Sequence, residues 1–598
     1  MKRVFKELNY LLDKKQKAGL AGLGVMIFIG GLLETLGVSM MLPVVMAILN
    51  ADTLRQYAPV ERLLTALSIE STEGLTVFLL VALMAVYVCK NLYLLCLTWQ
   101  QSRFIAYNRN KMIGRVLREF LNRPYEFYLD ADIPTVFRMT DSDIPQTFNL
   151  MLDLIQLASE LVVAVCLSIV LLVTDIKMTG FLLFIVAVIT LGLNRFLKPQ
   201  LSRLGQKNLS VQSRIAKWRI EAIYGIKDVK VLNRTEFFAS HYEDTGKIGA
   251  AIARNYSVLN AVPRLMIETF FVCALLFYIL LILLSGQDAA ALVPKLSVFG
   301  VAAIRLMPSV NRINTYVNNV AYEQPSLDYL YENMDKKQLT ALKETEGASE
   351  KKGSRRQSAA GRENTGEETR RMSLTDKIEL KGITYAYPHT EKMIFTEADM
   401  VVPAHASVGI MGSSGAGKST IVDILLGLLK AQTGSITCDG RDIFENYAGW
   451  LANIGYIPQS IYLVDETIRD NIAFGIDETE IDDERIWQVL EEAQLAEFIR
   501  ELPEGLETTI GDRGIRLSGG QRQRIGIARA LYHDPNILVF DEATSALDNE
   551  TEAALMEAIN SFHGRKTMII IAHRLNTIEK CDIIYKVRDG KLERTSLH

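Results

Sequence analysis

The sequence predicts a multidomain protein: an N-terminal all-α domain of six membrane-spanning helices, followed by a C-terminal α/β domain. The 598 residues are 49% apolar yet 22% charged, which is too charged for a chain lying wholly in lipid and too apolar for a disordered one. The long apolar stretches all lie before residue 335. After residue 377, short apolar runs alternate with helical patterns, which is typical of an α/β domain.

Membrane spans are predicted where an apolar stretch reaches about 20 residues, enough to cross roughly 30 Å of hydrocarbon. The six predicted spans lie near 18–49, 74–99, 150–173, 178–200, 262–285 and 292–316. The first is interrupted only by Glu34 and is too long for a cleavable signal peptide. In the loop 51–73, apolar residues recur at helical spacing. This predicts a short helix, either interfacial or simply solvated.

Basic residues predict the orientation of these spans. Lys and Arg number six in residues 1–17, seven in 101–149 and ten in 201–261, against four in the predicted outer loops. The positive-inside rule therefore places both termini on the cytoplasmic side of the inner (cytoplasmic) membrane. The inner segments have helical periodicity, so the spanning helices are expected to continue into the cytoplasm, with a break near Gly225.

Composition sets the domain boundaries. Residues 336–376 are charged and nearly free of aromatic side chains, so they cannot bury a core and should form a mobile linker. The expected domains are therefore 1–335, this linker and 377–598. A net charge of −4 gives no basic footprint for nucleic acid. The six cysteines lack the spacing of a disulfide scaffold or a zinc site.

A glycine-rich motif carries the first chemistry. It follows an apolar strand, 407–411, and precedes an apolar helix, which is the context of a phosphate-binding loop. Its residues are Gly412, Ser413, Ser414, Gly415, Ala416, Gly417, Lys418, Ser419 and Thr420. Backbone N–H groups and the helix N-terminus would bind phosphates. Lys418 would neutralise the β/γ-phosphates, and the Ser419 hydroxyl would ligate Mg²⁺.

Two acidic residues supply the second element. The apolar strand 537–540 ends in Asp541 and Glu542. Asp541 is predicted to hold Mg²⁺ through water, and Glu542 to act as general base on the attacking water. Taken without the phosphate loop, two carboxylates at this position are also consistent with the ordinary end of a buried strand.

The motif LSGGQRQR, residues 517–524, opens a helix and closely resembles the signature of ATP-binding cassette (ABC) ATPases. The order of the other motifs matches over essentially all of 377–595. This resemblance implies further roles: Tyr387 stacks on adenine, Gln459 senses Mg²⁺ and touches the membrane domain, and His573 contacts the γ-phosphate. It also implies that Asp548 makes a dimer contact.

The signature residues Ser518, Gly519, Gly520 and Gln521 are predicted at a helix N-terminus, which favours phosphate. In the resembled family, the signature of one cassette closes on ATP bound to the phosphate loop of another. One cassette and six spans per chain therefore imply a half-transporter that works as a homodimer with two composite ATP sites.

The membrane region resembles exporter-type ABC transporters and, more narrowly, bacterial flippases of lipid-linked oligosaccharides. The narrower resemblance rests on RPYEFYLD, GIKDVKVLNRTEFF, AAIRLMPSVNRI and Pro263-Arg264 with Glu268. It implies ATP-driven flipping of an amphipathic lipid, with a pyrophosphate-linked lipid as one candidate.

Ionisable residues within lipid are functional candidates. The basic ones are Lys90, Arg264, Arg305 and Arg312. Arg305 and Arg312 are seven residues apart and so share a helix face, where a cationic stripe would suit a pyrophosphate. The alternative is mutual pairing, such as Lys90 with Glu34 or Arg264 with Glu268.

Two other functions stay open on the sequence. One is a multidrug or other lipid exporter with an apolar cavity. The other is a non-transporting ABC protein that acts in regulation or assembly. A peptide exporter with its own protease domain and an importer are both disfavoured, the latter because spans and cassette are fused in one chain.

Overall fold

The structure is a computed structural model that describes residues 2–40, 72–174, 176–284, 293–334, 371–542, 549–572 and 575–595. Nearly all of the loop 51–73 and most of the linker 336–376 lie outside these residues. The chain divides into two compact units. The first contains Met1–Arg123 and Ala131–Arg355, and the second contains Pro124–Asp130 and Arg356–His598.

The first unit is entirely helical in its described residues. Its α-helices are α1 (Lys2–Leu11), α2 (Lys14–Ser39), α3 (Thr72–Leu121), α5 (Ile133–Arg138), α6 (Ile144–Thr174), α7 (Ile176–Tyr224), α8 (Ile226–Val231), α9 (Thr235–Leu284) and α10 (Val293–Asn333). The helix α4 (Tyr125–Asp130) belongs to the second unit. A π-helix, Met139–Asp143, joins α5 to α6.

Four helical stretches in the described residues are long and apolar enough to cross a membrane: Lys14–Gly37, Thr76–Leu121, Ile133–Ile169 and Leu183–Tyr224. The fifth and sixth predicted spans fall in α9 and α10, but residues 285–292 and the side chains of 293–306 are not described. The helix α3 has 50 residues, or about 75 Å of length, more than twice the hydrocarbon thickness. The helix thus extends well past the apolar stretch that begins it, and Gly225 separates α7 from α8; that these extensions lie in the cytoplasm stays a prediction.

Close packing joins α7 to α10 at one glycine. A Cβ atom added at Gly205 would collide with the Tyr322 carbonyl oxygen, so only glycine lets the two backbones approach this closely. Leu197, Leu201 and Ala321 form a buried cluster beside this crossing. Small residues thus allow α7 and α10 to pack tightly, as they do between many membrane helices.

Polar side chains line the contact between α6 and α10. The Arg312 guanidinium pairs with Glu160, the Tyr316 hydroxyl donates to Gln156 Oε1 over 3.5 Å, and Ser326 Oγ donates to Gln146 Oε1 over 2.6 Å. Numbers rise along α10 while they fall along α6, so the two helices are antiparallel.

The second unit is an α/β domain. Its strands are β1 (Lys377–Ala386), β2 (Met393–Pro403), β3 (Ser407–Met411), β4 (Thr433–Cys438), β5 (Arg441–Asp442), β6 (Ile454–Ile457), β7 (Ile537–Asp541), β8 (Thr567–Ile571), β9 (Ile583–Arg588) and β10 (Lys591–Thr595). Its helices after α4 are α11 (Lys418–Leu425), α12 (Tyr447–Leu451), α13 (Ile468–Ile472), α14 (Asp483–Glu492), α15 (Ala496–Glu501), α16 (Gly519–Tyr532), α17 (Asn549–Ser561) and α18 (Leu575–Ile578).

Two sheets organise this domain. A six-stranded sheet has the order β10-β9-β3-β8-β7-β6, parallel except for β10, and an antiparallel sheet has the order β2-β1-β4-β5. Every residue of β7 and β8 is buried, as expected of central parallel strands covered on both faces. The carboxyl ends of β3 and β7 lie at the same edge of the sheet, where such folds bind ligands.

The segment Pro124–Asp130 clusters with the cassette although it lies between two membrane-unit helices in sequence. Within this second unit, the Lys430 backbone N–H donates to Glu126 Oε1 over 2.9 Å. Periodicity could not reveal this docking, because α4 has only six residues and buries none of them.

Candidate functional site

The glycine-rich loop connects β3 to α11, as predicted. Gly415 and Gly417 have φ values of 76° and 104°, a region that favours glycine. A Cβ atom at Gly417 would also lie 2.8 Å from Ile394 Cγ2. The loop therefore needs glycine at Gly417 for both backbone conformation and space.

The side chain of Lys418 folds back over this loop. Its Nζ donates to the carbonyl oxygens of Gly412 and Ser413, each over 3.1 Å. The side chain is buried, which strengthens the field of its charge. The ammonium group is thus held against the backbone that converges on a bound phosphate.

Oxygen ligands for a divalent cation converge at the end of β7. Ser419 Oγ donates to Asp541 Oδ1 over 3.5 Å, and the Tyr456 hydroxyl donates to Asp541 Oδ2 over 3.5 Å. Burial and then the neighbouring Glu542 raise the pKa of Asp541. A hydroxyl and a carboxylate held together are the donor types that Mg²⁺ prefers, so the residues present fit this ion.

The candidate general base, Glu542, is the next residue in the chain after Asp541. Glu542 has a φ of 51°, a conformation uncommon for residues other than glycine. Its backbone N–H donates to Ile571 O over 3.2 Å, and Gln459 Nε2 donates to Glu542 Oε2 over 2.9 Å. The fold thus brings Gln459, Asp541 and Glu542 into one site from two adjacent strands, β6 and β7.

Two further side chains border the loop. The Tyr387 hydroxyl lies 2.9 Å from Thr420 Oγ1, so the predicted adenine-stacking residue stands beside the end of the phosphate loop. Asp423, on α11, was not singled out by the sequence. Burial and then the charge of Asp541 raise the pKa of Asp423 to about 6.

The signature begins α16 at its N-terminus, as the sequence predicts. Ser518 Oγ accepts from the Gln521 backbone N–H over 3.3 Å, and Gln521 Oε1 accepts from the Ser518 N–H over 2.8 Å. This capping box fixes the helix start. Within the described residues, no hydrogen bond joins Ser518–Gln521 to the phosphate loop of the same chain. Asp548 and His573 lie outside the described residues.

Sequence reasoning missed Arg529, which ties the segment after Gln459 to the signature helix. From α16 it donates to Tyr462 O and Asn471 O, each over 2.7 Å, and to Asn471 Oδ1 over 3.1 Å. Its guanidinium also lies 4.7 Å from the centroid of the Phe474 ring. The only sequence signal was an arginine within an otherwise apolar helical pattern. Tyr456 was missed for a similar reason, as a single polar group in a strand.

The charged residues predicted to lie in the membrane differ in their burial and in their contacts. Lys90 is buried, with its Nζ 4.6 Å from the centroid of the Tyr87 ring, whereas Arg264 is exposed. In the part of the chain that is described, neither the Lys90–Glu34 pair nor the Arg264–Glu268 pair forms an ion pair. The helix α10 contains Arg305, whose side chain is not described.

Arg312 does have an acidic partner. Its Nε lies 2.6 Å from Glu160 Oε1, and its Nη2 donates to Glu160 Oε2 over 3.2 Å. The two residues are 152 positions apart, which explains why no partner was evident in the neighbouring sequence.

The fold and the site define a phosphate-loop nucleotide-binding domain attached to a helical membrane domain. The family described as "ABC transporter transmembrane region" matches residues 20–292, and that described as "ABC transporter" matches 395–545. Together the two matches cover most of the chain, which therefore belongs to the ABC transporters, with one membrane domain fused to one ATP-binding cassette.

Relatives match through a shorter stretch. An ATP-dependent lipid A-core flippase of Vibrio cholerae is 38% identical over 226 residues, which are 38% of this chain and 39% of the relative. A sophorolipid transporter of Starmerella bombicola is 39% identical over 231 residues, which are 37% of this chain and 18% of the relative. The chain thus spans less than two fifths of the length of either relative.

One solved structure shares the fold along almost the whole chain. It is described as a bacterial Atm1-family ABC exporter with ATP bound, with a TM-score of 0.75 and 21% identity, covering 98% of this chain and 96% of that one. This likeness confirms the predicted fold class of a helical membrane domain followed by an α/β cassette.

Proposed function

We propose that this protein uses ATP hydrolysis to flip an amphipathic anionic lipid across the cytoplasmic membrane, with both termini in the cytoplasm. The substrate class we favour is a lipid-linked oligosaccharide or a related lipid with a phosphate-containing headgroup. The observation that carries the proposal is the assembly of Lys418, Asp541, Glu542 and Gln459 at one sheet edge, in a chain that also contains membrane-spanning helices.

The residues divide the chemistry of hydrolysis among them. Lys418 and the loop N–H groups bind the phosphates of ATP and hold them for in-line attack. Glu542 accepts a proton from the attacking water, and Gln459 holds the Glu542 carboxylate in place through its hydrogen bond. Ser419, Asp541 and Gln459 would hold Mg²⁺, which neutralises phosphate charge when bound.

A second copy of the chain completes the site in this proposal. Ser518–Gln521 lie at the start of α16, where a helix N-terminus favours phosphate. No hydrogen bond joins them to the phosphate loop of their own chain within the described residues. Two chains in a homodimer would therefore form two composite ATP sites, each with the phosphate loop of one chain and the signature of the other.

Basic residues of the membrane domain support an anionic substrate. Arg264, Arg305, Arg312 and Lys90 are costly in lipid unless they serve a ligand or a partner. The flippase and sophorolipid transporter among the relatives are named for lipid cargo, which supports the same class. The ion pair of Arg312 with Glu160 favours a second candidate, an exporter of neutral amphiphiles.

A flipping assay with purified protein in liposomes separates these candidates. The cargo panel should contain polyprenyl-diphosphate glycans, phospholipids and neutral dyes. We expect Arg305→Ala to impair flipping of anionic lipids more than basal ATP hydrolysis. Equal loss of both activities would refute the substrate role of Arg305. Transport of neutral dyes that Arg305→Ala leaves unchanged would favour the second candidate. Absence of any cargo-stimulated hydrolysis would favour a non-transporting role.

A further inference from the structure

The two members of the Arg312–Glu160 ion pair differ in how far they are exposed to solvent. The Arg312 side chain keeps 45% of its surface exposed, whereas Glu160 keeps only 11%. The carboxylate uses two guanidinium nitrogens, Nε and Nη2. A guanidinium has five N–H donors, so three remain on the edge turned away from Glu160. A ligand can therefore reach Arg312 without displacing Glu160.

The helix that carries Glu160 is fixed on both sides of it. One turn before it, Gln156 Oε1 accepts from the Tyr316 hydroxyl of α10. Just after it, Val162 packs so closely on α2 that a Cβ atom at Gly31 would lie 2.7 Å from Val162 Cγ1. Glu160 is therefore a preorganised charge rather than a mobile surface residue.

An anion on the exposed edge of Arg312 would also experience the Glu160 charge. The two anions would be roughly 7 Å apart, about one guanidinium width plus two hydrogen bonds. At this distance repulsion remains substantial wherever water is partly excluded. A transport site has to bind its cargo well enough to load it and weakly enough to release it, and such a carboxylate tunes that balance.

We infer that Glu160 is a built-in counter-ion that lowers the affinity of Arg312 for an anionic headgroup and thereby sets how strongly the protein selects anionic over neutral amphiphiles. This inference rests on the proposed function, since it assigns Arg312 to the headgroup. Glu160 acts through Arg312 and is a positioning residue rather than a group that binds cargo.

Binding of a defined probe to the full-length protein in nanodiscs tests the inference. Farnesyl pyrophosphate is the anionic probe, and farnesol is the matched neutral probe. We expect Glu160→Gln to lower the Kd of farnesyl pyrophosphate by about tenfold and to leave that of farnesol unchanged. Glu160→Asp, which keeps the charge, should stay within about twofold of the wild type, and Glu160→Gln/Arg312→Gln should lose the gain.

A control variant and a kinetic readout separate charge from structure. Glu34→Gln removes one carboxylate elsewhere in the membrane domain and should leave both Kd values unchanged. In the ATPase assay stimulated by farnesyl pyrophosphate, Glu160→Gln should lower KM and also kcat, because the probe is released more slowly. A purely structural role would lower kcat without lowering KM.

Each outcome decides a separate question. Equal binding of farnesyl pyrophosphate by wild type and Glu160→Gln overturns the inference but leaves the proposed function standing. Wild-type protein that binds farnesyl pyrophosphate no better than farnesol counts against the proposed substrate class. In that case a gain in Glu160→Gln still supports the counter-ion, and no gain overturns it. If neither Glu160→Gln nor Glu160→Ala folds, as judged by gel filtration, Glu160 is structural and the inference is overturned.

Discussion

Replacement of Arg529 by methionine should loosen the segment that leads from Gln459 to α13. The arginine makes three hydrogen bonds to Tyr462 and Asn471, and it lies over Phe474. Burial lowers its pKa to about 10, so it is charged at neutral pH. Methionine keeps the aliphatic contact with Phe474 but removes every donor.

The size of the expected effect follows from the hydrogen-bond acceptors that would lose the Arg529 donors. Each hydrogen bond from a charged donor contributes roughly 1.5–3 kcal/mol. The three bonds converge on one partly buried group, so they are not additive, and water replaces some of them. We therefore expect local opening to become easier by about 3 kcal/mol, or about a hundredfold in the opening equilibrium.

Hydrogen exchange measured by mass spectrometry on the full-length protein would check this. Amides in peptides covering 461–475, including the Val464 N–H bonded to Asn471 Oδ1, should exchange about a hundredfold faster. Arg524→Met is the matched control, because Arg524 lies on the same helix and donates a hydrogen bond of 2.8 Å to Gln494 O. Unchanged exchange in Arg529→Met, or an equal effect in the control, would refute the reasoning.

Three further predictions concern the cassette. Gly417→Ala should abolish binding of a fluorescent ATP analogue, because φ is 104° and the added methyl meets Ile394; binding within twofold of wild type would contradict it. Asp423→Asn should stabilise the nucleotide-free protein by about 1–2 kcal/mol at pH 8 and not at pH 4. Because the folded protein raises the pKa of Asp423 from its ordinary value near 3.8 to about 6, this group costs stability progressively as pH rises between these values, and the full cost is present above pH 6. A difference in thermal stability between wild type and variant that is the same at pH 4 and pH 8 would contradict this. Asp439→Asn should destabilise by about 1–2 kcal/mol at pH 7. Although burial opposes it, hydrogen bonds from Thr375 and its neighbours lower the pKa of Asp439, so the stabilisation is present above pH 4 and is lost as pH falls further; an unchanged difference at pH 3 would contradict this.

Short motifs made the nucleotide site predictable. The loop around Gly417 and the cap at Ser518 depend on neighbours within a few residues, so sequence specifies them locally. The long apolar stretches likewise predicted the helices, because length and hydropathy decide whether a segment suits a membrane. The continuation of α3 and the break at Gly225 followed from periodicity and one glycine.

Pairings between distant segments were not predictable. Arg312 pairs with Glu160, which lies 152 residues earlier in the chain. The residue pattern of α10 is equally consistent with Arg312 pairing with a carboxylate and with Arg312 facing solvent. Arg529 and Tyr456 act through hydrogen bonds between elements that are far apart in the sequence. The periodicity of a single sequence does not indicate such contacts, since they depend on how whole helices and strands pack.

The short helix Tyr125–Asp130 illustrates a third limit. It belongs by sequence to the predicted membrane domain, yet it clusters with the cassette through contacts such as Glu126 with Lys430. A six-residue helix with no buried residue has no periodicity from which its partner could be inferred.

The most direct test of the central claim is ATP-driven flipping by the full-length protein in liposomes, comparing wild type with Glu542→Gln. We predict that wild type flips a polyprenyl-diphosphate lipid only with ATP and Mg²⁺. Glu542→Gln should bind ATP normally but lose both hydrolysis and flipping by about 10²-fold or more, because a general base contributes that much. Normal ATP turnover in Glu542→Gln, or flipping without ATP in wild type, would contradict the account.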